Sequence, residues 1–274
     1  MKEYFEGWYF KHQAKGKTVA LIPGKSMEEA FIHVVTDKAA YFITYPLRDY
    51  CKGDIVTIGG NTFSETGVSI AIDRPELQLK GTINYENLMP IKGDIMGPFR
   101  FFPMECRHGI TSMDHDLKGS LELNGDMYDF DGGKGYIESD SGQSFPDGYS
   151  WVHCNDFTEA CSITAAVAKI PFYGLKFWGC ICVVMLNGKE YRLATYKGVK
   201  IITCEPGIIE LKQGKYRLLI NIHSKGGHLL PAPRFGKMNH AILEDISCQA
   251  SFKFTKGTQV LFDSTSDQAS YEYH

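Results

Sequence analysis

Short runs of β-branched and aromatic residues recur along the whole chain, separated by Gly, Asn and Asp. "TVALIPG", "AFIHVVT", "YFITYPL", "DIVTIGG", "VSIAID", "LQLKGTINY" and "GSLELNG" fill the first half. "CSITAAVAKI", "CICVVML", "YRLATY", "KIITCE", "YRLLINIH" and "ASFKFTKG" fill the second. Many alternate apolar and polar residues, as a strand does when one face is buried, and the residues between them are those that build turns. No stretch sustains helical periodicity. The pattern predicts an all-β protein of short antiparallel strands, arranged as barrels or sandwiches.

The chain also repeats itself. "GWYF…ALIPG…FIHVV…FITYP" (7–46) is answered by "YSWV…VAKIPF…FWGCICVV…LATYK" (149–197), pairing Trp8 with Trp151, Pro23 with Pro171, Phe31 with Phe177 and Tyr45 with Tyr196. Later, "GPFRFFPMECRHGI" (97–110) is answered by "APRFGKMNHAIL" (232–243), and "GSLELNG" (119–125) by "ASFKFTKG" (250–257). Echoes in a shared order at a nearly constant offset are the mark of duplication. They predict two consecutive β-units, 1–130 and 131–274, joined near "NGDMYDFDGGKG" (124–135).

Bulk properties narrow the function. With 274 residues the chain can bury a sizeable core. A net charge of −3 argues against nucleic acid, whose binding surfaces carry a strong basic excess. No basic tract or basic amphipathic helix of the kind that binds a charged membrane stands out. The most apolar run, "FWGCICVVML" (177–186), is too short to span a bilayer, so no integral membrane segment is expected. Residues 2–12, "KEYFEGWYFKH", lack the apolar core of a signal peptide. Eight cysteines include no CxxC pair and no zinc-finger spacing, which fits reduced, mostly buried thiols in a cytoplasmic protein.

Two stretches concentrate the polar chemistry. In "FRFFPMECRHGITSMDHDLKG" (99–119), an extended backbone would put Cys106 and His108 on one face and Glu105 and Arg107 on the other. Three readings stand. Cys106, His108 and His115 could begin a metal site, although the spacing fits no zinc template. Glu105 and Arg107 could pair on a solvated face, with "SMDHD" (112–116) as a turn. Or Glu105 or Asp114, buried beside the phenylalanines, could be a proton donor with His108 or His115 as relay.

The second stretch, "GKGYIESDSGQSFPDGYSWVHCNDF" (133–157), sets Glu138, Asp140, His153, Asn155 and Asp156 among Tyr136, Phe145, Tyr149, Trp151 and Phe157. Core packing accounts for any one of these aromatics. Polar groups interleaved with aromatics also suit a cavity for an amphipathic ligand. The lone "GKG" has no phosphate-loop spacing, and no GxSxG elbow or Cys–His signature points to a nucleophile. His223 and His228 fit an exposed hairpin, and His240 falls where the repeat places His108.

These segments, with "YFEGWYFKHQ" (4–13), "ALIPG" (20–24), "AFIHV" (30–34), "IPFYGLKFWG" (170–179) and "APRFGKMNHAILE" (232–244), resemble the tocopherol cyclase family. The likeness begins at Glu3 and covers almost the entire chain in the family's order. It implies a relation to lipocalin-like carotenoid hydratases with paired β-barrel units. It also implies cofactor-free chemistry: a general acid protonates a trisubstituted alkene, a tertiary cation forms, and a phenol oxygen closes the ring. Such a site needs an apolar chamber, aromatic faces for the cation and a carboxylic acid held protonated.

On that resemblance the acid–base candidates are Glu105, His108, Asp114, His115, Glu138, Asp140 and His153. Glu6, Trp8, Tyr9, Phe102, Tyr136, Trp151 and Asn155 are candidate substrate contacts. No metal and no cofactor are expected, and the partner is a hydrophobic small molecule such as a prenylated quinol or another isoprenoid. The alternative is a lipocalin-like carrier without chemistry. Departures bear on the substrate: Ser141 stands where relatives carry Trp, and His33 and His153 where they often carry Gln. The oligomeric state is not encoded in any of these features.

Overall fold

The computed structural model describes residues 4–172 and 174–274, so Glu3 and Tyr173 of the family-like segments lie outside the described residues. The chain is all-β apart from short 3-10 turns. The first twelve strands are β1 (Phe5–Ala14), β2 (Lys17–Lys25), β3 (Ala30–Thr36), β4 (Ala40–Tyr45), β5 (Tyr50–Lys52), β6 (Val56–Ile58), β7 (Asn61–Ser64), β8 (Gly67–Arg74), β9 (Leu77–Glu86), β10 (Cys106–Leu123), β11 (Asp126–Asp129) and β12 (Lys134–Gly142). They form one antiparallel sheet in the order β4-β3-β2-β1-β12-β10-β9-β8-β7-β6-β5, with β11 on β10.

The second sheet is built from β13 (Tyr149–Cys154), β14 (Cys161–Phe172), β15 (Leu175–Leu186), β16 (Lys189–Ala194), β17 (Lys200–Glu205), β18 (Ile208–Gln213), β19 (Tyr216–His223), β20 (His228–Arg234), β21 (Lys237–Lys256) and β22 (Gln259–Tyr273). Its order, β16-β15-β14-β13-β22-β21-β19-β18-β17, repeats the first sheet's order from β4 to β7, with β13 standing for β1 and β22 for β12, while β6 and β5 have no counterpart. The change of sheet falls between β12 and β13. Residues 134–142, on the second-unit side of the expected boundary, therefore belong to the first sheet. The compact units also exchange short segments: residues 230–241 join the first unit and 92–107 the second.

Each sheet curls around its own apolar cluster. Alternation is clean in β8, where Val68, Ile70 and Ile72 are buried between exposed neighbours. In the first unit Phe10, Leu21, Ile32, Val34, Ile43, Ile58, Phe63, Leu79, Ile83, Leu121 and Ile137 meet, drawing on strands from one end of the sheet to the other. Buried Asn61 ties the two ends: its Nδ2 donates to Ile58 O at 2.9 Å and to Tyr45 Oη at 3.4 Å, and its Oδ1 accepts from Ala71 N at 2.7 Å. Gly59 has φ +55°, and the Tyr45 ring occupies the place of the Cβ it lacks. In the second unit Gln213 plays the same part, accepting from Ala194 N at 3.1 Å and donating to Arg192 O at 3.0 Å.

Three imidazoles are sunk into the first unit. His12 Nδ1 lies 3.2 Å from Val19 O, which can only accept, so Nδ1 carries the proton and Nε2 accepts from Tyr85 Oη at 2.5 Å. Ser112 donates its hydroxyl proton to Asp114 O at 2.7 Å, so His115 Nδ1 donates to Ser112 Oγ at 3.2 Å. His115 Nε2 abuts Gly135, where a Cβ would come within 2.1 Å of it. His33 is held between the rings of Phe31 and Phe42.

Burial disfavours the charged form of all three: it pushes His12, next to His115, down to about 3, His33 to about 3, and His115 to about 4 despite nearby Asp116. The unfolded chain takes up these protons near pH 6.5, whereas the folded chain does not. Stability is therefore full above pH 6.5 and falls as pH drops towards 3–4. The urea midpoint should drop between pH 7.5 and 5, with each histidine contributing at most roughly 2 kcal/mol at pH 5. His33→Phe, which keeps the aromatic sandwich, should show a shallower drop; an equal drop would refute the linkage.

Candidate functional site

The 106–123 stretch is one continuous strand, β10, so "SMDHD" is not a turn: its backbone pairs along the sheet and side chains alternate through it. That alternation sends Leu117, Leu121 and Leu123, with His115, towards the unit's core, and His108 to the other face. β12 lies beside β10 and obeys the same rule. Its Ile137 joins the core, while Tyr136, Glu138 and Asp140 share the opposite face.

Two strands thus bring His108 up to Glu138 and Asp140, 30 and 32 positions further along the chain. His108 Nε2 is 3.3 Å from Glu138 Oε2, and His108 Nδ1 is 3.1 Å from Asp140 Oδ1. Tyr136 Oη donates to the same Glu138 Oε2 at 2.5 Å. The Glu138 side chain is 7% exposed, His108 12% and Asp140 23%, so two carboxyl groups and an imidazole stand largely out of water. On β1, Tyr9 pairs in register with Glu138 and Lys11 with Tyr136; both are buried. Gly109 allows the close approach of β10 to β12, since an added Cβ would lie 2.9 Å from Ser139 Oγ.

The hydrogen-bond inventory fixes the proton count. A neutral imidazole offers one N–H and one lone pair, and an ionised carboxylate only accepts. With a carboxyl oxygen against each ring nitrogen, either His108 is an imidazolium between two carboxylates or one carboxyl is protonated and donates to a neutral ring. Both descriptions hold one proton more than two carboxylates and a neutral histidine. The short contacts allow that proton to sit on any of the three groups.

His108, Glu138 and Asp140 are also the one set among the described residues whose ligand atoms all lie within 4.8 Å. One atom from each of the three side chains could therefore face a single ion.

Other sequence candidates fall elsewhere. Asp114 lies 4.0 Å from Lys134 Nζ. Glu6 accepts from Tyr50 Oη at 2.7 Å and Lys52 Nζ at 2.6 Å, with Lys25 Nζ at 3.2 Å. Burial would raise its pKa, but Lys52, Tyr50 and Lys25 outweigh that and hold the carboxyl below its usual range, which makes it a fixed anion and no acid. Trp8 packs on its unit's own core with Lys52 Nζ 4.5 Å above the ring. Glu105 and Phe102 belong to the second unit, and Phe102 is 38% exposed. Burial raises the Glu105 pKa, Asp147 adds to the effect and Lys176 opposes it.

Trp151, His153 and Asn155 are buried in the second unit, the first two with rings 6.4 Å apart. They lie on or just after β13, where Val152 and Cys154 face the core and Trp151 does not. The echo of Trp8 and Trp151 is therefore offset by one residue: Tyr9 is opposite Glu138 as Trp151 is opposite Glu272. His223 is exposed and His228 half-buried, but β19 and β20, which carry them, each pair with β21 and do not form the expected hairpin. All eight cysteines are free, and five are buried.

Sequence reasoning missed Lys11 because lysine is normally a surface residue. The signal was strict alternation, which puts Tyr9, Lys11 and Gln13 on one face of β1. It also missed Glu244, 0% exposed and directly opposite Glu272, which accepts from Tyr149 Oη at 2.7 Å.

Comparison with known proteins places this geometry. No curated protein sequence matches. Three solved structures share the fold across both units. One is a protein from Nitrosomonas europaea provisionally called AttH, with 12% identity, a TM-score of 0.56, and 98% of this chain and 92% of that one covered. Another is kievitone hydratase from Nectria haematococca, with 11% identity, a TM-score of 0.56, and 98% and 87% covered. The third is CghA, with 8% identity, a TM-score of 0.61, and 99% and 88% covered. Residues 80–272, well over half of the chain and including His108, Glu138 and Asp140, match the family model described as tocopherol cyclase-like. The chain belongs to the tocopherol cyclase-like family.

Proposed function

We propose that the protein is a cofactor-independent cyclase or hydratase acting on a prenylated aromatic or another isoprenoid, and that the shared proton of His108, Glu138 and Asp140 starts the reaction. The observation that carries this reading is the imidazole held between two carboxyl groups, 3.3 Å from one and 3.1 Å from the other. Family membership supports the substrate class.

In the cyclase form the Glu138 carboxyl gives its proton to one alkene carbon, and the tertiary carbon becomes cationic. Tyr9 and Tyr136, on the same face, are the aromatic groups nearest in register to stabilise it, an effect of up to about 2 kcal/mol for a desolvated contact. The substrate's phenol oxygen then bonds to the cation and its proton returns to the carboxylate, leaving the trio as it began. In the hydratase form water supplies the oxygen and the returning proton. The trio loses one proton in the first step and regains it in the last, so it ends the cycle with the charge it began with.

Wild-type protein incubated with a prenylated quinol in D2O should give ring-closed or hydrated product with one new carbon-bound deuterium. Glu138→Gln should lower the rate by about 10²-fold or more while substrate binding persists. Undiminished product formation by both Glu138→Gln and His108→Gln would refute the assignment. Binding without turnover by the wild type, across a range of prenylated quinols, would instead support the carrier.

A further inference from the structure

A buried polar atom without a hydrogen-bond partner is costly, so each one in a folded chain calls for a reason. Of the three imidazoles sunk into the first unit, His12 engages both ring nitrogens. His115 engages Nδ1 and sets Nε2 against Gly135 on the core side. His33 is 2% exposed and is held by the rings of Phe31 and Phe42. Its Nδ1 is buried with no hydrogen-bond partner among the described residues. A phenyl ring would fill the same place without burying a polar nitrogen.

Parity and register show which face His33 serves. Ile32 and Val34 enter the core, so His33 stands on the other face of β3. It is directly opposite Ile22 on β2. Phe10 of β1 is opposite Leu21, which sets Tyr9 beside Ile22, and Tyr9 is opposite Glu138 on β12. His33, Ile22, Tyr9 and Glu138 thus form one row across four neighbouring strands, on the face that carries the trio. Three strand spacings separate its ends, about 14 Å along the sheet. Both ends are polar and buried, and the residues between them are Tyr9 and Ile22, of which Ile22 is only half-buried. Next to the row, Gly7 lies opposite Asp140, and an added Cβ there would meet only Pro23 O at 3.6 Å. An apolar strip with a polar group at each end suits an amphipathic ligand oxygenated at both ends.

We propose that His33 binds a neutral oxygen, a hydroxyl or a carbonyl, at the far end of the substrate, about 14 Å from the alkene at Glu138. The inference rests on Glu138 marking the reacting end, and it narrows the substrate to isoprenoids that carry oxygen at both ends. Burial holds the His33 ring neutral, so it offers one N–H and one lone pair but no charge for an anionic end group.

Calorimetric titration with geranylgeranyl quinol and with its ω-hydroxy counterpart tests this without turnover. The wild type should bind the ω-hydroxy compound about tenfold more tightly. His33→Phe, which keeps the contact with Phe31 and Phe42, should bind the two alike. His33→Gln, which keeps a donor and an acceptor, should retain most of the preference. In turnover of the ω-hydroxy compound, His33→Phe should raise KM while kcat changes by less than about twofold. No binding of either compound, equal binding of both by the wild type, or an undiminished preference in His33→Phe would overturn the proposal. Glu138→Gln should keep the binding preference. Failure at His33 therefore leaves the acid assignment standing, and undiminished turnover in Glu138→Gln strikes the acid without touching the contact at His33.

Discussion

Side-chain parity is the constraint on which the arrangement rests. In a strand every second residue points the same way, and each sheet has committed one face to its own apolar cluster. Phe10 and Ile137 hold β1 and β12 in place, which leaves Tyr9, Lys11, Tyr136, Glu138 and Asp140 together on the other face. A slip of one residue in β12 would drive its carboxyl groups into the hydrocarbon core and turn Ile137 out of it. The core therefore secures the register of the site, even though no core residue takes part in its chemistry.

Duplication supplied the scaffold, and divergence supplied the chemistry. Both sheets place a carboxylate at the same point of their corresponding strands, Glu138 on β12 and Glu272 on β22, each opposite an aromatic residue on the neighbouring strand. On the other side the copies differ. Glu138 meets an imidazole from β10, whereas Glu272 meets Glu244 from β21. Carboxyl groups directly opposite each other repel when both are ionised, so the second copy suits a protonated acid and the first an exchangeable proton.

Much of this was legible in the sequence. Period-two alternation and recurrent turn residues gave the strands, and ordered echoes gave the repeat, because both follow from local geometry. Glu138, Asp140, Tyr136 and His108 stood out as polar groups among aromatics. Their association did not, since 28 positions separate Cβ-bearing Tyr136 from His108 and only the β10–β12 pairing closes that gap. The join at 124–135 was misplaced because its Asp/Gly-rich turns look like a linker, while the pairing of β12 with β1 keeps residues 134–142 in the first sheet. Glu6, a candidate substrate contact on sequence, is a lysine-locked anion, which only its neighbours from β2 and β5 reveal.

The two histidines of β10 show how little separates a structural residue from a functional one. His108 and His115 are seven positions apart, an odd number, and therefore point to opposite faces of one strand. His115 meets Ser112, Tyr85 and the backbone of Gly135, none of which compensates a positive charge, so it stays neutral and serves packing. His108 meets a carboxyl group at each nitrogen, so a positive ring there is balanced twice over. Proton transfer needs a group whose two protonation states are both tolerated by its surroundings. On this strand only the residue facing away from the core satisfies that requirement, which is why the proposed chemistry rests on His108 and β12 while His115 packs against Tyr85 of β9.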